Sequence, residues 1–79
     1  MNKQLASVLA RVFNLRDDEI VIGLTKDKVG SWDSLKQMDL VVSLEREFNI
    51  ALEISDIVKM DSVGQIIDVL SNKGIELGA

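Results

Sequence analysis

The sequence contains no cysteine and no histidine. Without cysteine, it can form no disulfide framework, no thiolate metal site and no cysteine nucleophile. Without imidazole, it lacks the usual general base near neutral pH and the commonest metal ligand, which excludes a self-contained serine triad. A chain of 79 residues also hides only about 60 % of its extended surface on folding, so little interior remains for an enclosed polar site. We therefore expect that the protein is not an enzyme.

Long apolar runs and an excess of positive charge are also missing. Runs such as residues 40–42 are far shorter than the roughly 20 residues that span a bilayer. Residues 1–4 begin an amphipathic pattern and do not resemble a signal peptide, so we expect a cytoplasmic protein without a transmembrane segment. The formal net charge is −4. This charge repels phosphate backbones, and we expect no binding to nucleic acid.

The spacing of apolar residues predicts an all-α fold. Residues at i, i+3, i+4 and i+7 predict three longer helices, at about 2–13, 35–48 and 63–72, and a short helix near 55–59. Their caps are Asn2, Asn49 and a capping box that begins at Ser62. We expect one domain over residues 1–79, with a core from about 3 to 73 and a tail at 74–79. The predicted architecture is a four-helix bundle.

A long connection separates the first two predicted helices. Between residues 14 and 33 the helical period fails, and glycines and charged clusters replace it. Ile20, Ile22 and Leu24 are predicted to attach this segment to the core. A loop of this length is unusual in a compact domain and often carries function.

A motif follows this loop at the start of the second helix. It reads Trp32-Asp33-Ser34-Leu35 and continues through residues 38–41 and 44–50. The sequence resembles the acyl carrier protein family, whose hallmark is Asp-Ser-Leu before an acidic and apolar helix that ends in Glu-x-x-Phe. The resemblance covers residues 3–73.

The resemblance implies that Ser34 accepts 4'-phosphopantetheine from coenzyme A through a separate phosphopantetheinyl transferase. The thiol of this arm then holds an acyl group as a thioester, and Asp33 has an accessory role in the attachment. The implied partners also include an acyl-loading ligase or synthase and acyltransferases, and we expect a monomer. Physical chemistry favours the position, because a helix N-terminus attracts phosphate. The alternative role for Ser34 is a simple N-cap within a capping box that ends at Gln37, although Asp33 could cap instead.

Two further sets of residues are predicted from the second helix and from the family. Leu35, Met38 and Val42 form an apolar stripe beside Ser34 that exceeds what one surface helix buries. Together with Asp39, Glu45 and Arg46 it is predicted to bind partner enzymes, and the alternative is extra core contact with the long loop. The resemblance also implies that the bundle shelters part of an acyl chain. This interior would be lined by some of Leu24, Leu40, Leu44, Phe48, Ile57, Met60, Val63 and Ile67.

Three residues of this sequence differ from the pattern of housekeeping carriers in that family. Trp32 replaces the small residue that is usual in housekeeping fatty-acid carriers, and Lys36 and Arg46 dilute the acidic helix. A carrier dedicated to a specialised pathway is favoured, and Trp32 is predicted to anchor the loop. Two alternatives remain open: a peptidyl or aminoacyl carrier with the same arm, and an unmodified helical adaptor.

Overall fold

The computed structural model describes residues 1–78, which form four α-helices: α1 (Lys3–Phe13), α2 (Ser34–Phe48), α3 (Ile54–Ile57) and α4 (Val63–Asn72). Within those residues there is no strand, and the one β-type contact is an isolated antiparallel bridge between Thr25 and Ser62. The predicted all-α bundle, with three longer helices and one short one, is confirmed. Ala79, the last residue of the predicted tail, lies outside the described residues.

Asparagine side chains and backbones set the bounds of α1 and α2. The Asn2 Oδ1 atom accepts the Leu5 amide N–H at 2.9 Å and caps the start of α1. Asn14 and Asn49 end α1 and α2 in the left-handed conformation, with φ of 56° and 53°. Asparagine tolerates this conformation better than most residues, so the helices stop where the sequence predicts.

The long connection between α1 and α2 is partly ordered by two 3-10 helical turns, Asp17–Glu19 and Lys26–Lys28. Ile20 is buried and Leu24 is half-buried against the core, as predicted. The prediction for Ile22 is wrong, because its side chain is 64 % exposed. Its backbone makes the attachment instead, since its carbonyl oxygen accepts the Gly64 amide N–H at 3.2 Å.

Capping also explains where α3 and α4 begin. α3 starts one residue earlier than predicted, because the Asp56 carboxylate accepts the Glu53 amide N–H at 2.9 Å. At α4 the Ser62 hydroxyl accepts the Gln65 amide N–H at 3.1 Å, as a capping box requires. The Gln65 side chain reaches back to the amide of Asp61 at 3.0 Å, which is one residue before the predicted partner.

The core lies between the three longer helices and extends to the C-terminal segment. α1 packs against α2. Ile75 and Leu77 are half-buried against the core, and the Asn2 Nδ2 atom donates to the Leu77 carbonyl at 3.1 Å. The predicted core limit at residue 73 is therefore too early. The largest fully buried side chains are Leu5, Val8, Leu9, Leu40, Leu44, Met60, Val63, Ile66 and Leu70.

Candidate functional site

Ser34 is the first residue of α2 and is exposed. The cap of this helix comes from the residue before it, since the Asp33 Oδ1 atom accepts the Lys36 amide N–H at 2.8 Å. The Asp33 carbonyl also accepts the amide of Gln37 at 2.8 Å. The interpretation of Ser34 as the N-cap is therefore wrong, and its hydroxyl is not required for this helix start.

The surroundings of Ser34 fit a phosphodiester. The first amides of an α-helix have no acceptor within the helix, and they carry the positive end of its dipole. Both features favour a phosphate at this position. The negative charge of Asp33 repels a phosphate, so Asp33 does not help to hold the phosphate itself. An exposed hydroxyl at the end of a 15-residue helix is nevertheless accessible to an enzyme that modifies it.

Trp32 anchors the loop that precedes the site. Its ring lies against that of Phe13, with centroids 4.4 Å apart and planes inclined by 34°. The indole Nε1–H donates to the Gln37 Oε1 atom at 2.6 Å. The predicted structural role of Trp32 is confirmed, because the side chain is buried in the core cluster.

Gln37 is a residue that the sequence analysis missed. It is the buried polar side chain among residues 1–78 and is 8 % exposed. Its Nε2 atom donates to the carbonyl oxygens of Ile57 at 3.0 Å and Met60 at 3.3 Å. The sequence did contain a sign that this side chain is buried. Gln37 lies three positions before Leu40, so helical spacing places it on the core-facing side of α2.

The three apolar residues of the predicted partner surface do not belong to the core. Leu35, Met38 and Val42 are 81 %, 53 % and 45 % exposed. The alternative of extra core contact is therefore wrong for these side chains. They line one open groove beside the start of α2, together with Ser31, Asp33, Lys36 and Asp39.

The charged residues predicted for the same surface differ in their environments. Asp39 and Arg46 are exposed, and the Asp39 carboxylate lies 3.9 Å from the Lys36 Nζ atom. Glu45 is half-buried, and its Oε2 atom accepts the Leu52 amide N–H at 2.8 Å. Glu45 thus has a structural role that the sequence did not predict.

The residues predicted to line an acyl interior all belong to the core or pack against it. Leu40, Leu44, Met60 and Val63 are fully buried. Leu24, Phe48, Ile57 and Ile67 are half-buried and pack against this core. The structure brings the eight side chains together into one apolar cluster.

Two features are absent from residues 1–78. No helix among them is long and apolar enough to cross a membrane. They contain no group of three or more acidic side chains arranged to hold a metal ion.

The comparison with protein families decides the assignment. The family model described as the phosphopantetheine attachment site matches residues 3–70. The chain belongs to the acyl carrier protein family. It is similar to the acyl carrier protein of Buchnera aphidicola subsp. Schizaphis graminum (strain Sg), with 26 % identity over 73 residues that cover 92 % of each chain.

Membership of this family confirms the predicted cofactor and removes one alternative. A carrier of this family bears covalently attached 4'-phosphopantetheine, so an unmodified helical adaptor is the wrong class of protein. The family also implies interaction with a phosphopantetheinyl transferase and with enzymes that handle acyl groups. Carrier proteins of this kind are generally not catalytic.

Proposed function

We propose that Ser34 carries the phosphopantetheine arm and that the protein delivers acyl thioesters to enzymes of lipid, polyketide or other specialised acyl metabolism. The observation that supports the attachment residue is the exposed Ser34 at the first turn of α2, with Asp33 acting as the cap. Trp32, Lys36 and Arg46 support the specialised pathway, because they depart from the pattern of housekeeping carriers.

The attachment is a phosphoryl transfer in which the Ser34 oxygen attacks the phosphorus next to the pantetheine part of coenzyme A. A new P–O bond forms to Ser34, and the P–O bond to the leaving adenosine 3',5'-bisphosphate breaks. A base of the transferase takes up the serine proton. We propose that Asp33 helps to position the hydroxyl and the metal ion of the transferase during this step. The terminal thiol of the arm supplies the nucleophile that the cysteine-free chain lacks.

Mass spectrometry tests the attachment residue. Incubation with coenzyme A, Mg²⁺ and a broad-specificity phosphopantetheinyl transferase should add one phosphopantetheine to the wild-type protein and none to Ser34→Ala. Ser31→Ala is the matched control, because Ser31 lines the neighbouring groove and its removal should leave the modification unchanged. Modification of Ser34→Ala would contradict the proposal.

The cargo has one remaining alternative, an aminoacyl or peptidyl group on the same arm. The Asp33-Ser34-Leu35 motif and the acidic residues of α2 favour an acyl group. Incubation of the holo protein with acyl-loading and with aminoacyl-loading ligases distinguishes the two, because the mass added identifies the thioester. We further propose that the protein has no catalytic activity of its own, acts as a cytoplasmic monomer and does not bind nucleic acid.

We propose that the groove residues Leu35, Met38 and Val42 form the partner surface, together with Asp39, Glu45 and Arg46. The support is their exposure beside Ser34 and the position of Asp39 at the margin. A partner that receives the arm must approach Ser34 and will cover these side chains. Acidic side chains can steer the basic entrance of such an enzyme towards the groove.

We also propose that the apolar cluster around Leu40, Leu44 and Met60 shelters part of the acyl chain. Burial of an acyl chain contributes roughly 0.8 kcal/mol per CH₂ group. The melting temperature should therefore rise from the holo form to a medium-chain acyl form, with changes in the NMR shifts of the eight lining residues. An unchanged melting temperature with unchanged shifts would show that the cargo stays outside.

A further inference from the structure

The amide of Gln37 lies between the exposed start of α2 and the buried apolar cluster. Ser34, Gln37 and Leu40 follow one another along α2 at three-residue spacing, with Ser34 exposed and Leu40 fully buried. The Gln37 side chain crosses from α2 to the end of α3, where it contacts the carbonyl oxygens of Ile57 and Met60. An acyl chain that ran from Ser34 along this face of α2 towards Leu40 would therefore pass the Gln37 amide first.

The Gln37 side chain makes three hydrogen bonds, of which two are buried and the one to Ile57 is partly buried. The Oε1 atom accepts from Trp32 Nε1 at 2.6 Å, and the Nε2 atom donates to the two carbonyl oxygens at 3.0 Å and 3.3 Å. We call these three bonds the Gln37 network. Displacement of the amide would leave the Trp32 indole N–H and the Met60 carbonyl without partners, whereas the Ile57 carbonyl would keep the Met60 amide N–H at 3.2 Å. A buried polar group without a partner is costly. A saturated chain has no atom that can replace these bonds.

α3 is the short helix that the Gln37 network joins to α2. The helix has four residues, none of them buried, and Ile54 is 79 % exposed. Of the four residues, Ile57 packs against the core, and the Gln37 hydrogen bonds to the carbonyl oxygens of Ile57 and Met60 join α2 to the end of α3. Opening this side of the bundle requires the Gln37 network to break.

We infer that Gln37 is a specificity-determining residue that disfavours the burial of saturated medium-length acyl chains in this carrier. The inference rests on the proposed function, because it assumes cargo on an arm at Ser34. Burial of a saturated chain costs hydrogen bonds of the Gln37 network, so a medium-chain form should raise the melting temperature less than the burial of its CH₂ groups alone would. The carrier is therefore best suited to short acyl groups, or to acyl groups with a hydroxyl or oxo oxygen that replaces a lost hydrogen bond.

The test compares the octanoyl form with the holo form in the wild-type protein and in Gln37→Met, which has a side chain of similar length without the amide. The increase in melting temperature on octanoylation should be at least about 4 °C larger in Gln37→Met than in the wild type. In this variant the octanoyl chain displaces no amide, so its burial no longer costs hydrogen bonds, and a cost of that kind shifts the melting temperature of a domain of this size by several degrees. Gln65→Met is the matched control, because it removes a glutamine that bonds to the backbone at α4, away from this route. It should show the wild-type increase.

Equal increases in the wild type and Gln37→Met, including no increase in either, overturn the inference. If Gln37→Met does not fold, Trp32→Phe replaces it, because phenylalanine keeps a ring beside Phe13 and removes the indole donor. The same comparison of octanoyl and holo forms then applies. The mass added at Ser34 tests the proposed function separately, so a failure of one does not imply a failure of the other.

The wild-type protein provides a second readout that a merely structural role would not change. Trp32 is the only tryptophan of the chain, so the indole N–H gives a single NMR resonance. If octanoylation raises the wild-type melting temperature, this resonance must shift, because the chain has displaced the acceptor on Gln37. A higher melting temperature with an unchanged indole resonance overturns the inference.

Discussion

The Asp33 carboxylate accepts the Lys36 amide N–H at 2.8 Å and caps α2 one residue before Ser34. The capping function and the proposed attachment function thus belong to neighbouring side chains. Because the cap does not depend on the Ser34 hydroxyl, the helix start keeps the same acceptor before and after the phosphodiester forms. The arrangement allows the hydroxyl to be modified while the helix start remains satisfied.

We predict that Ser34→Ala changes the free energy of unfolding little and that Asp33→Ala lowers it by about 0.5 to 2 kcal/mol, the usual cost of a lost N-cap. Urea unfolding followed by circular dichroism measures both values. Asp33→Asn is the control, because asparagine retains the capping oxygen without the charge. A loss in Ser34→Ala as large as that in Asp33→Ala would assign the cap to Ser34.

A second prediction concerns pH and the contact between α3 and the end of α4. The Lys73 ammonium lies 2.9 Å from the Asp56 carboxylate, and this hydrogen bond, followed by that from the Glu53 amide, lowers the pKa of Asp56 below its usual value. A lowered pKa means that the folded protein binds this proton less tightly than the unfolded chain does. The stabilisation is therefore complete above the ordinary aspartate pKa of about 3.9 and is lost as the pH falls through the lower folded value.

The measurement is the melting temperature as a function of pH from about 7 down to about 2, a range that covers the loss expected for such a carboxylate. Asp56→Asn should show a shallower decrease at the acidic end than the wild type. Asp68→Asn, at an exposed position on α4, should follow the wild-type curve. Parallel curves for Asp56→Asn and the wild type would show that the ion pair contributes nothing to folding.

The third prediction concerns the segment after α4, which contributes to the core. Ile75 is half-buried, and its amide N–H donates to the Leu70 carbonyl at 3.0 Å. Ile75→Ala should lower the free energy of unfolding by about 1 kcal/mol, because it removes apolar atoms of a half-buried side chain from the core. Glu76→Ala alters an exposed neighbour and should have little effect in the same urea titration. Equal stabilities of the two variants would place the end of the core at residue 73.

Features set by local chemistry could be predicted from the sequence. Asn2, Asn49 and Ser62 cap or end their helices through contacts within a few residues, and these contacts depend only on residue type and spacing. The exposure of the stripe that contains Met38 also followed from helical geometry, since the wide apolar arc of α2 exceeds the face that one helix can bury.

Features that depend on packing between distant segments could not be predicted in this way. Gln37 bonds to carbonyl groups 20 and 23 positions away, and only the docking of α3 brings those groups within reach. Glu45 bonds to the amide of Leu52 across the turn after α2. Ile22 has the same alternating spacing as the buried Ile20, yet its side chain lies outside because the loop attaches there through its backbone.

The last prediction concerns partner recognition by the groove beside Ser34. Met38 lies at the middle of the exposed stripe, and its side chain is 53 % exposed, so Met38→Glu should leave the helicity intact. A charge at this position would have to lose its water when a partner covers the groove. Met38→Glu should therefore abolish acyl transfer to or from the partner enzyme, as measured by mass spectrometry of the thioester.

The matched control for this variant is Ile22→Glu, which places the same charge on an exposed apolar residue of the loop that contacts α4. It should leave transfer unchanged. Arg46→Glu should improve recognition by housekeeping fatty-acid enzymes, because these prefer a wholly acidic helix, and the gain should decrease as salt screens the charges. Docking must be weak, since a carrier has to leave each enzyme to reach the next. If Met38→Glu unfolds the protein, or if Ile22→Glu blocks transfer equally, the groove is not the partner surface.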